Sequence, residues 1–169
     1  KHTEFLTTYD IKINMKKKKN KKIYIGLSVD ILHHGHINLI NKAKNYGQLI
    51  VGLLTDKAIL ERKRLPLISY NNRKQILENI NGVNKIVPQN EWSYCNNLKK
   101  IKPDIMVHGD DWIEHEPDLR KKSINTLNQI GAKLIEIPYT KNISSSRLSQ
   151  RMFQQHMMPI NRMSSLKRM

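Results

Sequence analysis

Ile23-Tyr24-Ile25-Gly26-Leu27-Ser28-Val29 is a near-continuous apolar run of strand length, and it breaks at once into Asp30-Ile31-Leu32-His33-His34-Gly35-His36. A run without polar alternation marks a strand covered on both faces. After the polar turn, Ile37, Leu39, Ile40 and Ala43 recur at helical spacing, and Gly47 stops the helix. Residues 49–54 then read as a second buried strand. Two buried strands joined through a helix form a parallel pair, because a tight hairpin cannot join strands that run the same way.

The alternation continues to the end of the pattern. Ser69 starts a helix expected to reach residue 81, with Ile76, Leu77 and Ile80 on one face, and Gly82 ends it. Residues 85–87 are a short strand expected to close at Pro88. Leu98 and Ile101 mark another helix, and residues 105–108 the fourth strand. Pro117 opens a helix to residue 131 with Leu119, Ile124, Leu127 and Ile130 as its stripe. Residues 133–137 form the fifth strand, and Ser144 begins a last helix. This order predicts an α/β chain: a Rossmann-like, doubly wound five-stranded parallel sheet with helices on both faces. Ligands bind such sheets beyond the carboxyl ends of the strands. The turns after Val29, His108 and Ile137 are therefore the candidate site.

The net charge of +16 raises nucleic acid as a partner, but its placement argues against one. Residues 1–22 hold eight lysines against Glu4 and Asp10, and residues 151–169 hold four basic residues and no acid. Ten of the sixteen excess charges thus sit at the two ends. Residues 1–22 are expected to be a basic arm or linker, 23–150 the single folded domain, and 151–169 a helix end and basic linker. Cys95 is the only cysteine, which excludes an internal disulfide and a cysteine-rich zinc site. No apolar run approaches the roughly 20 residues that cross a bilayer. The expectation is a cytoplasmic protein without membrane or nucleic-acid partners.

Three histidines in four residues at a helix start admit three readings. Zinc is one, but adjacent side chains diverge and no cysteine or carboxylate completes a set. A second is simple capping of the helix. The third is an anion site, in which free N–H groups and the helix dipole face a phosphate, Gly35 admits close backbone approach, and His33 and His36 donate ring N–H groups.

The stretch from Asp30 to His36 resembles the HxGH signature of the cytidylyltransferase-like nucleotidyltransferases. Tyr70-Asn71-Asn72-Arg73 resembles that family's Tyr-x-x-Arg helix start, Gly109-Asp110-Asp111-Trp112 its GDDW segment, and Ile143-Ser144-Ser145-Ser146 its closing ISTS motif. Together they cover residues 22–150 in order. Gly52 to Ile59, Lys63-Arg64-Leu65-Pro66 and Pro138-Tyr139-Thr140 are most similar to the cytidylyltransferase domain fused to phosphoenolpyruvate phosphomutase.

The resemblance implies transfer of CMP from CTP to a small phosphonate, such as 2-hydroxyethylphosphonate or 2-aminoethylphosphonate. Glycerol 3-phosphate and phosphocholine are the alternative acceptors, and an idle nucleotide- or RNA-binding domain is the alternative of another class. It also implies Mg²⁺ arriving with CTP, a homodimer, and a fused or cooperating phosphomutase. No protein-bound metal is expected.

By the same resemblance, His33, His36, Lys63 and Arg64 are the catalytic candidates, with Arg62 on the same basic loop. Ser144, Ser145 and Ser146 would hold the β- and γ-phosphates. Gly109, Asp110 and Trp112 would meet the cytosine, although paired carboxylates there also suit Mg²⁺. Ser28, Val29, Asp30, Gly35, His108, Tyr139 and Ile143 complete the nucleotide-binding set. Arg73 is expected to pair within the fold or at a dimer interface. Tyr139-Thr140-Lys141-Asn142 departs from the related Arg-Thr-Glu-Gly, and Asn142 can replace glycine where a left-handed turn is needed.

Overall fold

The computed structural model describes residues 20–157. Most of the expected arm (1–19) and the end of the expected tail (158–169) lie outside the described residues. Five strands form one all-parallel sheet: β1 (Lys22–Leu27), β2 (Gln48–Leu54), β3 (Val83–Gln89), β4 (Ile105–Gly109) and β5 (Lys133–Ile137), in the order β3-β2-β1-β4-β5. The helices are α1 (His34–Ala43, continued by a 3₁₀ turn at Lys44–Tyr46), α2 (Asp56–Leu60), α3 (Tyr70–Glu78), α4 (Cys95–Ile101), α5 (Trp112–His115), α6 (Pro117–Gln129) and α7 (Ser145–Met157).

Side-chain alternation along the central strands divides the core in two. Ile23, Ile25 and Leu27 of β1, with Leu49, Val51 and Leu53 of β2, face Ile40 and Ala43 of α1 and Leu77 of α3. Tyr24, Ile50 and Met106 point the other way, toward Leu98 of α4, Trp112 of α5 and Leu127 of α6. Helices thus cover both faces, and both sets of strand residues must be apolar, as the unbroken runs predict. No helix among the described residues is long and apolar enough to cross a membrane.

Three local expectations are corrected. The third strand does not close at Pro88: it runs from Val83 to Gln89, with Pro88 opposite Leu53. β3 is outermost, so the missing N–H of proline removes no bond to a further strand. The helix expected over 69–81 is Tyr70–Glu78, and Ser69 makes no side-chain cap. On α6, Ser123 and Thr126 are buried as well as Leu127, because their hydroxyls bond back to the Leu119 and Lys122 carbonyls.

Gly26 and Gly52 are Cα partners across β1 and β2. A Cβ on Gly26 would overlap the ring of Tyr94, and one on Gly52 the ring of Tyr24. The paired glycines let two tyrosines lie against the sheet. Beneath them a closed polar network satisfies every partner: Asn97 donates to the Tyr24 hydroxyl, which donates to Gln89 Oε1 at 2.6 Å.

Candidate active site

Strand order reverses between β1 and β4, so the turns after these strands are neighbours at the carboxyl edge, with the turn after β5 beyond them. Between them lies a cavity of about 230 Å³. His33, Gly35, His36, Lys63, Ser28, His108, Gly109, Trp112, Tyr139, Ile143 and Ser144 to Ser146 all line it. Val29, Asp30, Arg64 and Asp110 do not.

The capping reading of the histidine cluster holds, and it bears on the anion-site reading through the ring nitrogens it leaves unused. His33 Nδ1 accepts the Gly35 N–H at 3.2 Å, and His36 Nδ1 accepts the His33 N–H at 3.3 Å, a capping box built from imidazoles. A ring nitrogen that accepts is unprotonated, so each neutral ring carries its proton on Nε2. The cap therefore fixes the tautomer and leaves two ring N–H groups for the cavity. The rings lie 3.9 Å apart between centroids. A Cβ at Gly35 would press on the His33 ring, so this glycine also makes room for the cap.

Burial holds both rings neutral. It lowers the pKa of His33, helped by His34, and pushes that of His36 down to about 3, helped by His33 and the Lys63 ammonium. His108 is also lowered, by burial. An unfolded histidine titrates near about 6.5. Between that pH and about 3 the unfolded chain binds a proton at residue 36 that the folded chain does not. The contribution of His36 is therefore complete above pH ~6.5 and falls as pH drops, by up to about 1.4 kcal/mol per pH unit. Urea melts at pH 7.5 and 5 should show this loss, and His36→Asn, which cannot titrate, should show a smaller one. An equal pH dependence in the variant would refute the buried neutral ring.

The closing motif supplies a helix N-terminus. Ser144 Oγ accepts the Arg147 N–H at 3.1 Å and caps α7. Ser145 Oγ donates to the Ile31 carbonyl at 3.0 Å, tying α7 to the first turn. Ser146 is exposed at the cavity. Asn142 has φ 66°, the left-handed turn expected of it.

Along β4 the side chains are locked by one another. His108 Nδ1 donates to the Gly109 carbonyl at 2.7 Å, so Nε2 accepts from the Tyr94 hydroxyl at 3.0 Å. The His108 ring stacks on Trp112 at 3.8 Å and 13°. Trp112 Nε1 donates to Glu136, which Arg120 grips with two bonds of 2.8 and 2.9 Å. Those bonds, Arg120's above all, hold the Glu136 carboxyl below the usual range. Asp110 turns away and accepts the Tyr139 N–H at 2.8 Å, while Asp111 lines the cavity. Among the described residues no three His, Cys, Asp or Glu side chains gather as metal ligands.

Tyr94, Trp92 and Glu116 also line the cavity and were missed by the sequence reading. Trp92 Nε1 donates to Glu116 at 2.7 Å, and Lys63 Nζ sits 5.2 Å from its ring centre. The signal available was Gly26, a glycine inside a strand, which marks close approach by another group. Of the basic loop only Lys63 reaches the cavity; Arg64 pairs with Asp30 at 2.9 Å, and Arg62 is exposed. Arg73 is fully buried within the fold, bonding the Ile68 and Ser28 carbonyls and Asp56.

The α/β sheet thus gathers two imidazoles, a helix N-terminus and a lysine at its switch point. A family model described as Cytidylyltransferase-like matches residues 23–151. Glycerol-3-phosphate cytidylyltransferase of Bacillus spizizenii is 34% identical over 134 residues, covering 78% of this chain and 97% of that protein. FAD synthase of Thermococcus sibiricus is 33% identical, covering 80% and 93%. A solved structure, the lipopolysaccharide core biosynthesis protein from Thermoplasma volcanium, matches with a TM-score of 0.61 and 25% identity over 72% of this chain and 98% of its own. The chain belongs to the cytidylyltransferase-like family and is a nucleotidyltransferase.

Proposed function

We propose that this chain transfers a cytidylyl group from CTP to a small phosphorylated alcohol of the glycerol 3-phosphate type, with release of pyrophosphate. The observation that carries this reading is the capping box, which engages Nδ1 of two cavity-lining rings and leaves their Nε2–H groups outside the cap, in a cavity that Ser144 to Ser146 at the start of α7 also line. The similar proteins named as glycerol-3-phosphate cytidylyltransferases, matched over nearly their whole length, favour that acceptor. Transfer to a phosphonate is the second reading, favoured by Tyr139 where related chains carry arginine.

An acceptor phosphate oxygen attacks the α-phosphorus, a P–O bond forms, and the bond to pyrophosphate breaks. That oxygen is ionised at neutral pH, so no general base is needed. The protein's task is to hold two anions together and to neutralise the charge at five-coordinate phosphorus. His33 and His36 donate to the transferring phosphate and its bridge, Lys63 adds a positive charge, and the N–H groups from Ser144 to Ser146 receive the β- and γ-phosphates. The turn at Gly109–Asp111 offers acceptors to the exocyclic amine of cytosine. Asp110 Oδ1 is engaged by the Tyr139 N–H, and among the described residues no three His, Cys, Asp or Glu gather as a ligand set, which supports Mg²⁺ arriving held by triphosphate and water.

Pyrophosphate release with Mg²⁺ tests the reading, offering CTP or ATP against glycerol 3-phosphate, phosphocholine, 2-hydroxyethylphosphonate and 2-aminoethylphosphonate. Turnover of CTP with glycerol 3-phosphate is expected. Turnover with a phosphonate alone moves the chain to the second reading, and turnover with ATP alone discards cytidylyl transfer.

A further inference from the structure

We infer that Asp30 and Arg64 form a latch that sets the 61–68 loop, so that Asp30 is a positioning residue and Lys63 alone carries the loop's charge into the cavity. The inference rests on the proposed contact between Lys63 and phosphate. Asp30 is 8% exposed, and its carboxylate is filled entirely by the loop. Oδ1 accepts the Leu67 N–H at 2.5 Å and the Ile68 N–H at 3.3 Å, and Oδ2 takes Arg64 Nη2 at 2.9 Å.

Arg64 is equally committed. Its Nη1 donates to the Leu65 carbonyl at 2.8 Å inside the loop, while Nη2 reaches out of it to the Asp30 carboxylate, which offsets its charge. A phosphate entering the cavity therefore meets Lys63 and not Arg64. On the opposite side of the loop, Glu61 accepts the Trp92 N–H at 3.0 Å, which brings the indole under Lys63 Nζ.

The backbone before Asp30 points the same way. Val29 is fully buried with φ 49°. A β-branched residue in the left-handed region is strained, persists only where surroundings hold it, and clusters at functional sites. Here the bend follows the end of β1 at Leu27 and precedes Asp30, whose carboxylate meets the loop. The three bonds accepted by Asp30 hold the bend in place.

The test uses the full chain with Asp30→Asn, Arg64→Gln and the double variant. Trypsin cleavage of the folded protein after Arg62 and Lys63, sites present in all variants, reads loop opening without substrate. Each single variant should be cleaved about tenfold faster than the parent, with the double no faster than the faster single. Its kcat should fall about 10- to 100-fold, because Lys63 loses its position, again without additivity. Unchanged cleavage with additive losses of CTP affinity would overturn the latch and make Arg64 a direct phosphate ligand. If the parent turns over no substrate pair, the transfer reading fails, while the cleavage rates still decide the latch. Arg64→Gln, at a half-exposed position, keeps the test open should Asp30→Asn not fold.

Discussion

His36→Asn should lower the rate of pyrophosphate release about 10²–10³-fold, the usual effect of removing one donor aimed at developing charge, while leaving the melting temperature almost unchanged. The asparagine Oδ1 stands where Nδ1 stood and can still accept the His33 N–H, so the cap survives and only the Nε2–H is lost. His36→Ala removes both and should also lose about 1 kcal/mol of stability with the cap. His36→Gln carries its amide near the Nε2 position and should recover part of the rate. Steady-state rates and thermal melts on the three variants separate the two jobs of this ring. A full rate in His36→Asn would remove His36 from the chemistry.

Arg73→Met should destabilise the fold by about 2–5 kcal/mol, at about 1–3 kcal/mol for each of two carbonyls left without a donor, while Asp56, 37% exposed, is left to water. The guanidinium ties three segments: the end of β1 through the Ser28 carbonyl, the end of the basic loop through the Ile68 carbonyl, and α2 through Asp56. Methionine fills the volume but leaves two part-buried carbonyls without this donor. Arg73→Lys should recover little, since one ammonium cannot span three acceptors that a planar fork reaches. Urea unfolding measures the loss, and a value below about 1 kcal/mol would show that the three segments hold each other without it.

Periodicity was enough for the sheet because every central strand is apolar on both faces, and so β1, β2 and β4 stand within two residues of where the runs place them. It was not enough for α2 and α5, which are too short to repeat a pattern. The motif positions led to the cavity, since three of them lie in turns that the strand order brings together. What motifs could not tell is which partner a charged side chain has. Arg62, Lys63 and Arg64 are equivalent in sequence, yet their fates differ because Asp30 lies 34 positions away from Arg64 and beside it in space. Trp92 and Tyr94 sit in a loop with no motif, and only the shape of the sheet brings them to the site. The histidine cluster admits zinc, a cap or an anion site; the fold spends Nδ1 of each ring on the cap, and the proposed function gives Nε2 to the phosphate.

The sheet has two outer margins, β3 and β5. An open margin offers unpaired backbone groups to any extended chain that passes, which makes it a template for self-association. β3 presents exposed Lys85 and Pro88 and carries a register shift opposite Leu49 and Ile50, and β5 presents Lys133 and the gripped Glu136. Charge, a missing donor and a kink are all poor templates for a further strand. The proline that an outer strand tolerates within β3 therefore also guards the folded domain against fibre-like stacking of its own copies.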